Sequence, residues 1–199
     1  MIVSRELLQI NPAFQFYMTR SINAIMKSVF ILIVSMLLTF TNAFCQNIKT
    51  VKGHENNPYY STTDTKHLNV TNAEWEKILP EELYAVSREE ATEAAFTGQY
   101  WNQDAKGTYY CAVCGNVLFK STAKFASTCG WPSFFEPIRK NSVLYKSDNS
   151  HGMQRTEVIC ARCDSHLGHI FDDGPPPSYK RFCMNSVSLD FDSNAARKK

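Results

Sequence analysis

The rhythm of apolar and polar positions changes twice along the chain. From Val29 to Phe40 the residues are apolar except for Ser35 and Thr39, and from Phe44 to Val70 they are mostly polar. In "TNAEWEKILP" Trp75, Ile78 and Leu79 fall on one helical face, with Thr71 or Asn72 as the cap and Pro80 as the stop. In "SREEATEAAF" Ser87 and Glu90 have the spacing of a capping box, which predicts a second, alanine-rich helix running to Gly98. From Gly107 onward the period shortens. "TYYCAV", "NSVLYK", "QRTEVICA", "GHIFDD" and "SVSLDF" have strand composition, and "DGPPP" predicts a rigid loop. Short strands separated by Gly/Pro turns predict a mostly β, antiparallel domain, with the two small N-terminal helices packed outside a sheet.

The first apolar run belongs to a segment to set aside before the fold is read. "MKSVFILIVSMLLTFTNAFCQN" has a basic start, an apolar stretch and small Ala43 at its end, the layout of a secretory signal peptide over 26–43. The run is short against the ~20 residues of a spanning helix; the alternative is a short N-terminal anchor on residues 29–40. Residues 1–25 read as an upstream extension, with Met26 preferred over Met18 as the start. The expected location is therefore exported, periplasmic or secreted. Residues 44–70 read as a polar linker or a loosely docked arm, which carries Cys45 after bulky Phe44, a weak setting for lipidation. The last residues, 192–199, read as a flexible tail.

With 199 residues, 20% charged and 13% aromatic, the chain has room for one ordinary domain plus an extension. The net charge of +2 arises in the leader, where Arg5, Arg20 and Lys27 face the single acid Glu6. Charges in the rest cancel, so the body lacks the basic excess of a nucleic-acid binder.

The cysteines change the picture most. "CAVCG" supplies Cys111 and Cys114, and "CARCD" supplies Cys160 and Cys163. Two residues between thiols let both sulfurs face one point on a tight turn, and four thiolates make the soft tetrahedral set that zinc prefers. Such a site has no open position, so its single zinc is structural. Two alternatives stand beside it: a pair of structural disulfides, in keeping with an exported protein, and a redox-active C-x-x-C.

Cys45, Cys129 and Cys183 remain. If Cys129 and Cys183 converge they form an attacking and a resolving thiol; otherwise they are buried small hydrophobes or a static disulfide. Arg181 precedes Cys183 closely enough to help hold a thiolate. "HLGH" brings His166 and His169 together, with Gly168 permitting close backbone approach, and an imidazole can donate a proton to a leaving oxygen. Asn185 can fix an imidazole or a water. Trp131, two residues past Cys129, can hold a methyl or thioether group, or serve as ordinary core.

Together "TEAAFTG", "CAVCG", "KFASTCGWPSFF", "SHGMQRTEVICARCDSHLGHIFDDGPPP" and "RFCMNSVSLDF" closely resemble the methionine-R-sulfoxide reductases of the B type, over about residues 71–191. The resemblance implies a fold of two antiparallel sheets with small flanking helices, tent-like in outline, and a structural zinc on Cys111, Cys114, Cys160 and Cys163. It implies a catalytic Cys183, a resolving Cys129, and substrate-pocket roles for His166, His169, Asn185 and Trp131. Phe134 matches an aromatic that walls the pocket, and Arg181 a basic residue beside the catalytic turn. The implied substrate is oxidised methionine, free or in proteins, and the implied partner is a thioredoxin-like reductant; the chain itself is expected to be a monomer. Ala126 and Thr128 depart from the family pattern without removing a reacting group. Two rival readings are a non-enzymatic zinc module that binds another protein and a thiol–disulfide oxidoreductase.

Overall fold

A computed structural model describes His54 and residues 56–193. The leader, its cleavage, the start at Met26 and Cys45 lie outside the described residues, as do residues 194–199. Among the described residues no helix is long and apolar enough to cross a membrane.

Helix α1 covers Asn72–Ile78, where Thr71 Oγ1 accepts from the Glu74 N–H at 3.3 Å and Trp75 is buried. Helix α2 covers Glu81–Arg88, with Glu81 and Glu82 at its positive end, Arg88 at its negative end, and Leu83 and Val86 buried. The predicted helix from Ser87 to Gly98 does not form. Ser87 is the buried penultimate residue of α2, so its hydroxyl caps nothing. Glu90 turns to φ +59° just beyond the helix, and the chain continues through 89–98 as bends and turns.

Nine antiparallel strands follow among the described residues: β1 Gly107–Cys111, β2 Val117–Lys120, β3 Lys124–Phe125, β4 Ser133–Phe134, β5 Val143–Asp148, β6 Arg155–Cys160, β7 His166–Phe171, β8 Arg181–Met184 and β9 Leu189–Ser193. They make a three-stranded sheet in the order β2-β1-β9 and a six-stranded sheet in the order β3-β4-β8-β7-β6-β5. The two-sheet, mostly β architecture with two small helices is the expected one. β9 runs to Ser193, so the tail expected from residue 192 begins inside a strand.

The core lies between the sheets and is largely aromatic. Phe119 of β2 stacks on Phe134 of β4 at 4.3 Å between ring centroids, and Tyr109 of β1 meets Phe134 edge-on at 5.0 Å. All three rings are fully buried, each contributing about 1.5–3 kcal/mol by leaving water. Residues 56–70 lie along the body. Asn57 Nδ2 donates to Val113 O at 2.7 Å, the Ser61 N–H to Cys114 O at 2.9 Å, and the Leu68 N–H to Arg162 O at 2.7 Å.

Candidate active site

Strand β8 runs through the interior of the large sheet. Its Cys183 pairs with Ser133 of β4 on one side and with His169 of β7 on the other. His169 in turn faces Glu157 of β6, and Arg155 of β6 faces Asp148 of β5. Residues opposite one another across a ladder share a face, and alternation along β6 keeps Arg155 with Glu157. One face of the sheet therefore presents Ser133, Cys183, His169, Glu157, Arg155 and Asp148 in a band. Alternation alone would send His166 and His169 to opposite faces. The register shift between Val158 and Ile159 absorbs one extra residue of β7 and puts both imidazoles together, 5.4 Å apart between centroids. Gly168 lets β7 pass close to β8: a Cβ there would lie 2.1 Å from the Cys183 carbonyl oxygen.

Cys129 comes from the β3–β4 loop and brings its Sγ to 3.4 Å from Cys183 Sγ, with both cysteines free and partly buried. Ser127 Oγ lies 2.9 Å and Ser133 Oγ 3.4 Å from Cys129 Sγ. Burial opposes charge on Cys129, but these hydroxyls and the neighbouring thiol lower it to about 7. Burial, followed by the charge on Cys129, pushes Cys183 up to about 12, with Arg181 pulling the other way. The pair therefore loses its first proton around neutral pH, with the surrounding hydroxyls favouring the charge on the Cys129 side. Arg181 makes two 2.8 Å hydrogen bonds to Asp173, and its guanidinium lies 4.4 Å from the Phe171 ring centroid.

A cavity of about 110 Å³ opens on Cys183, lined also by Trp131, His169, Phe171, Arg155 and Asn185. The segment expected to be a helix builds one of its walls. Trp131 Nε1 donates to Glu93 O at 3.2 Å, Asn185 Oδ1 accepts from the Glu93 N–H at 3.1 Å, and the Glu93 carboxylate accepts from the Ser186 and Val187 N–H groups at 2.7 and 3.0 Å. Asn185 also donates to Leu167 O at 3.3 Å. Its amide therefore ties this loop to β7 rather than binding an imidazole. His166 is buried, with Nδ1 2.7 Å from Glu157 Oε1. His169 Nε2 lies 2.7 Å from Asp148 Oδ2.

The expectation that Phe134 walls the pocket is not met. Ser133 faces the thiols, so Phe134, the next residue of β4, faces the core, and the phenyl ring in the cavity is that of Phe171. Glu93, Asp148, Arg155 and Phe171 were not singled out from the sequence. A larger hollow of about 620 Å³, lined by Phe135, Tyr145, Ile170 and Phe182, holds no thiol or imidazole.

Away from this cavity, the sulfurs of Cys111, Cys114, Cys160 and Cys163 all lie within 4.8 Å of one another, and all four residues are buried. The two C-x-x-C pairs approach one another at Cys111–Cys163, 3.7 Å, and Cys114–Cys160, 3.6 Å. Four sulfurs about 2.3 Å from one zinc stand about 3.8 Å apart at tetrahedral angles, so the spacing fits such an ion. None of the four is in a disulfide. Asn116 Nδ2 donates to Cys160 Sγ at 3.5 Å, and Arg162 donates to the Cys114 carbonyl.

The SelR domain matches residues 79–193. The chain is 52% identical over 122 residues to the peptide methionine sulfoxide reductase MsrB of Acinetobacter baylyi, covering 61% of this chain and 88% of that protein. It is 54% identical over 121 residues to the protein of the same name from Thiobacillus denitrificans, covering 61% and 92%, and 53% identical over 123 residues to that of Herminiimonas arsenicoxydans, covering 62% and 90%. With Cys183 lining the cavity, Cys129 beside it and a separate cluster of four cysteines, the chain belongs to the SelR family, that of the peptide methionine sulfoxide reductases MsrB.

Proposed function

We propose that the protein reduces the R epimer of methionine sulfoxide in polypeptides to methionine. The observation that carries this reading is the 3.4 Å contact of Cys129 with Cys183, which lines a cavity together with an indole and an imidazole. The substrate methyl lies against Trp131 and its oxygen reaches His169. The Cys183 proton passes to Cys129, and Cys183 Sγ attacks the sulfoxide sulfur. His169 donates a proton to the oxygen as the S–O bond breaks. In the adduct of Cys183 with the sulfoxide sulfur, the protonated oxygen shifts from the substrate sulfur to Cys183 Sγ while the new S–S bond breaks, so Cys183 becomes a sulfenic acid and methionine leaves with two electrons more than it brought. Cys129 Sγ then attacks Cys183 Sγ, forming a disulfide and releasing water. A thioredoxin-like dithiol protein takes the disulfide back to two thiols.

Zinc on the four-cysteine cluster cross-links the small sheet to the β6–β7 turn and takes no part in these steps. The segment 26–43 directs the protein out of the cytoplasm, so reducing power reaches it across a membrane. Burial of both C-x-x-C pairs speaks against the thiol–disulfide oxidoreductase reading, which needs one of them exposed.

The test is a turnover assay on separated R and S sulfoxides of a methionine peptide with a dithiol reductant. Reduction of R alone is expected. Reduction of S alone, or of neither, overturns the reading.

A further inference from the structure

The acidic partner of His169 has no part in the steps above. Asp148 ends β5, and its side chain is fixed on three sides. Oδ1 accepts from the Ser150 N–H at 2.8 Å, Oδ2 accepts from Arg155 NH2 at 2.6 Å, and Oδ2 also lies 2.7 Å from His169 Nε2. Arg155 reaches Ser150 Oγ at 3.3 Å as well, which ties the β5–β6 turn to the same cluster. The His169 and Asp148 side chains are only 13% and 12% exposed, so water screens their contact weakly. Arg155 and His169 both line the cavity above Cys183.

We propose that Asp148, itself held by Arg155, is a positioning residue for His169: it takes the Nε2 proton in a hydrogen bond, leaves Nδ1 for the sulfoxide oxygen, and supports the positive charge of the ring until its proton is given up. The inference rests on His169 being the proton donor. Burial works against a charged imidazole at this depth, and the carboxylate opposes that loss. The other charged or titratable groups facing the ring are Arg155 and Glu157 from β6, His166 from its own strand, and Cys183 from β8. Lys146 is occupied by Glu157 and Glu90. Arg155 repels the imidazolium, so its contribution is to hold the carboxylate rather than to stabilise the ring directly. A neutral amide at 148 keeps the shape of the turn and removes the charge that sustains the protonated ring.

Two measurements on the full protein test this. In Asp148→Asn, the single-turnover rate of methionine sulfoxide reduction at pH 8 should fall at least tenfold, within the range of a lost general acid. The alkaline limb of its pH profile should move toward lower pH by about one unit, as expected when an adjacent opposite charge is removed. Asp148→Glu should recover part of the rate and most of the limb position. The 15N chemical shifts of His169, followed against pH, should show the same downward displacement of its titration in Asp148→Asn, with unchanged far-ultraviolet circular dichroism. A rate loss with an unmoved limb and an unmoved His169 titration overturns the proposal and leaves Asp148 as a turn residue. Full activity in His169→Gln overturns instead the proton-donor reading, and with it the catalytic consequence of the pair, while the titration still decides the contact itself.

Discussion

Cys183 Sγ and Cys129 Sγ meet at 3.4 Å although their residues are 54 positions apart, and neither is bonded. A disulfide needs about 2.05 Å between sulfurs, so the reduced pair stands one small movement of the β3–β4 loop from closure. Cys183 is fixed in an interior strand, whereas Cys129 sits in a loop, and this decides which thiol moves. Cys183→Ser is expected to abolish sulfoxide reduction outright. Cys129→Ser should reduce one equivalent of substrate and then stop, unless a small thiol is added. Counting free thiols and methionine per chain in a single turnover checks both. Continuous recycling of Cys129→Ser by a thioredoxin-like donor would remove Cys129 from its role.

The same contact sets the pH response. Despite burial, hydrogen bonds lower the Cys129 thiol to about 7, while burial pushes Cys183 up to about 12. A thiol with a lowered value carries charge above that pH and is neutral below it. In a reduced Cys45→Ser chain with the zinc cysteines held by metal, ultraviolet thiolate absorbance should therefore rise by one thiolate around pH 7 and by a second only near pH 12. The first chemical step needs this thiolate together with a protonated His169, whose burial lowers its value, so it should slow toward both acid and alkaline pH. Ser127→Ala removes a hydroxyl 2.9 Å from the sulfur and should move the first rise upward. Two thiolates appearing together near the ordinary cysteine range would contradict this.

The strands around the thiols were legible in part. β5, β6, β7 and β9 carry β-branched and aromatic residues and were readable as strands; β4, two residues behind Pro132, carried too little pattern to show. The helix predicted across 87–98 failed because a capping-box spacing is a local signal, and Ser87 is taken up by the α2 core contact instead. The loop formed in its place takes its shape from long-range bonds, such as Glu93 to Ser186, that no local pattern encodes. Phe134 was misplaced because its neighbour in β4, not its chemistry, decides its face. Asp148 carries no signal of its own in the sequence; its pairing with His169 depends on the sheet order.

The arm over residues 56–70 changes what is expected of the metal site. Arg162 joins the second C-x-x-C turn to the arm, donating to Tyr59 O at 2.9 Å and pairing with Asp64 Oδ2 at 2.9 Å. Gly115 sits at φ +77°, and a Cβ there would lie 2.7 Å from the Ser61 backbone. Gly115→Ala should therefore lift the arm and strain the turn, at a cost of about 1–3 kcal/mol. Metal analysis should find one zinc per chain in the parent. A chelator-trapping assay should show zinc leaving faster from Gly115→Ala, and from a chain starting at residue 70, than from the parent. Equal release rates would mean that the arm does not shield the cluster.

Glu93 offers a test of how the cavity wall is held. Its two carboxylate oxygens each accept one backbone N–H, from Ser186 and Val187, and its own N–H and carbonyl hold Asn185 and Trp131. Burial raises its pKa, although the backbone bonds lower it. The folded state thus favours the protonated acid relative to the unfolded chain. This contribution to stability is present at low pH and is lost as pH rises through the folded value, so the charged carboxylate costs stability at neutral pH. A neutral glutamine removes that cost but turns an amide NH2 toward one of the two N–H donors. An unsatisfied buried donor costs about 1–3 kcal/mol. Glu93→Gln should therefore melt lower than the parent, with the gap narrowing as pH rises because only the parent carries the growing penalty of a buried charge. Since Trp131 is anchored on the same loop, KM for a methionine sulfoxide peptide should rise more than kcat falls. A melting gap that widens with pH would show that the backbone bonds outweigh burial for this carboxylate.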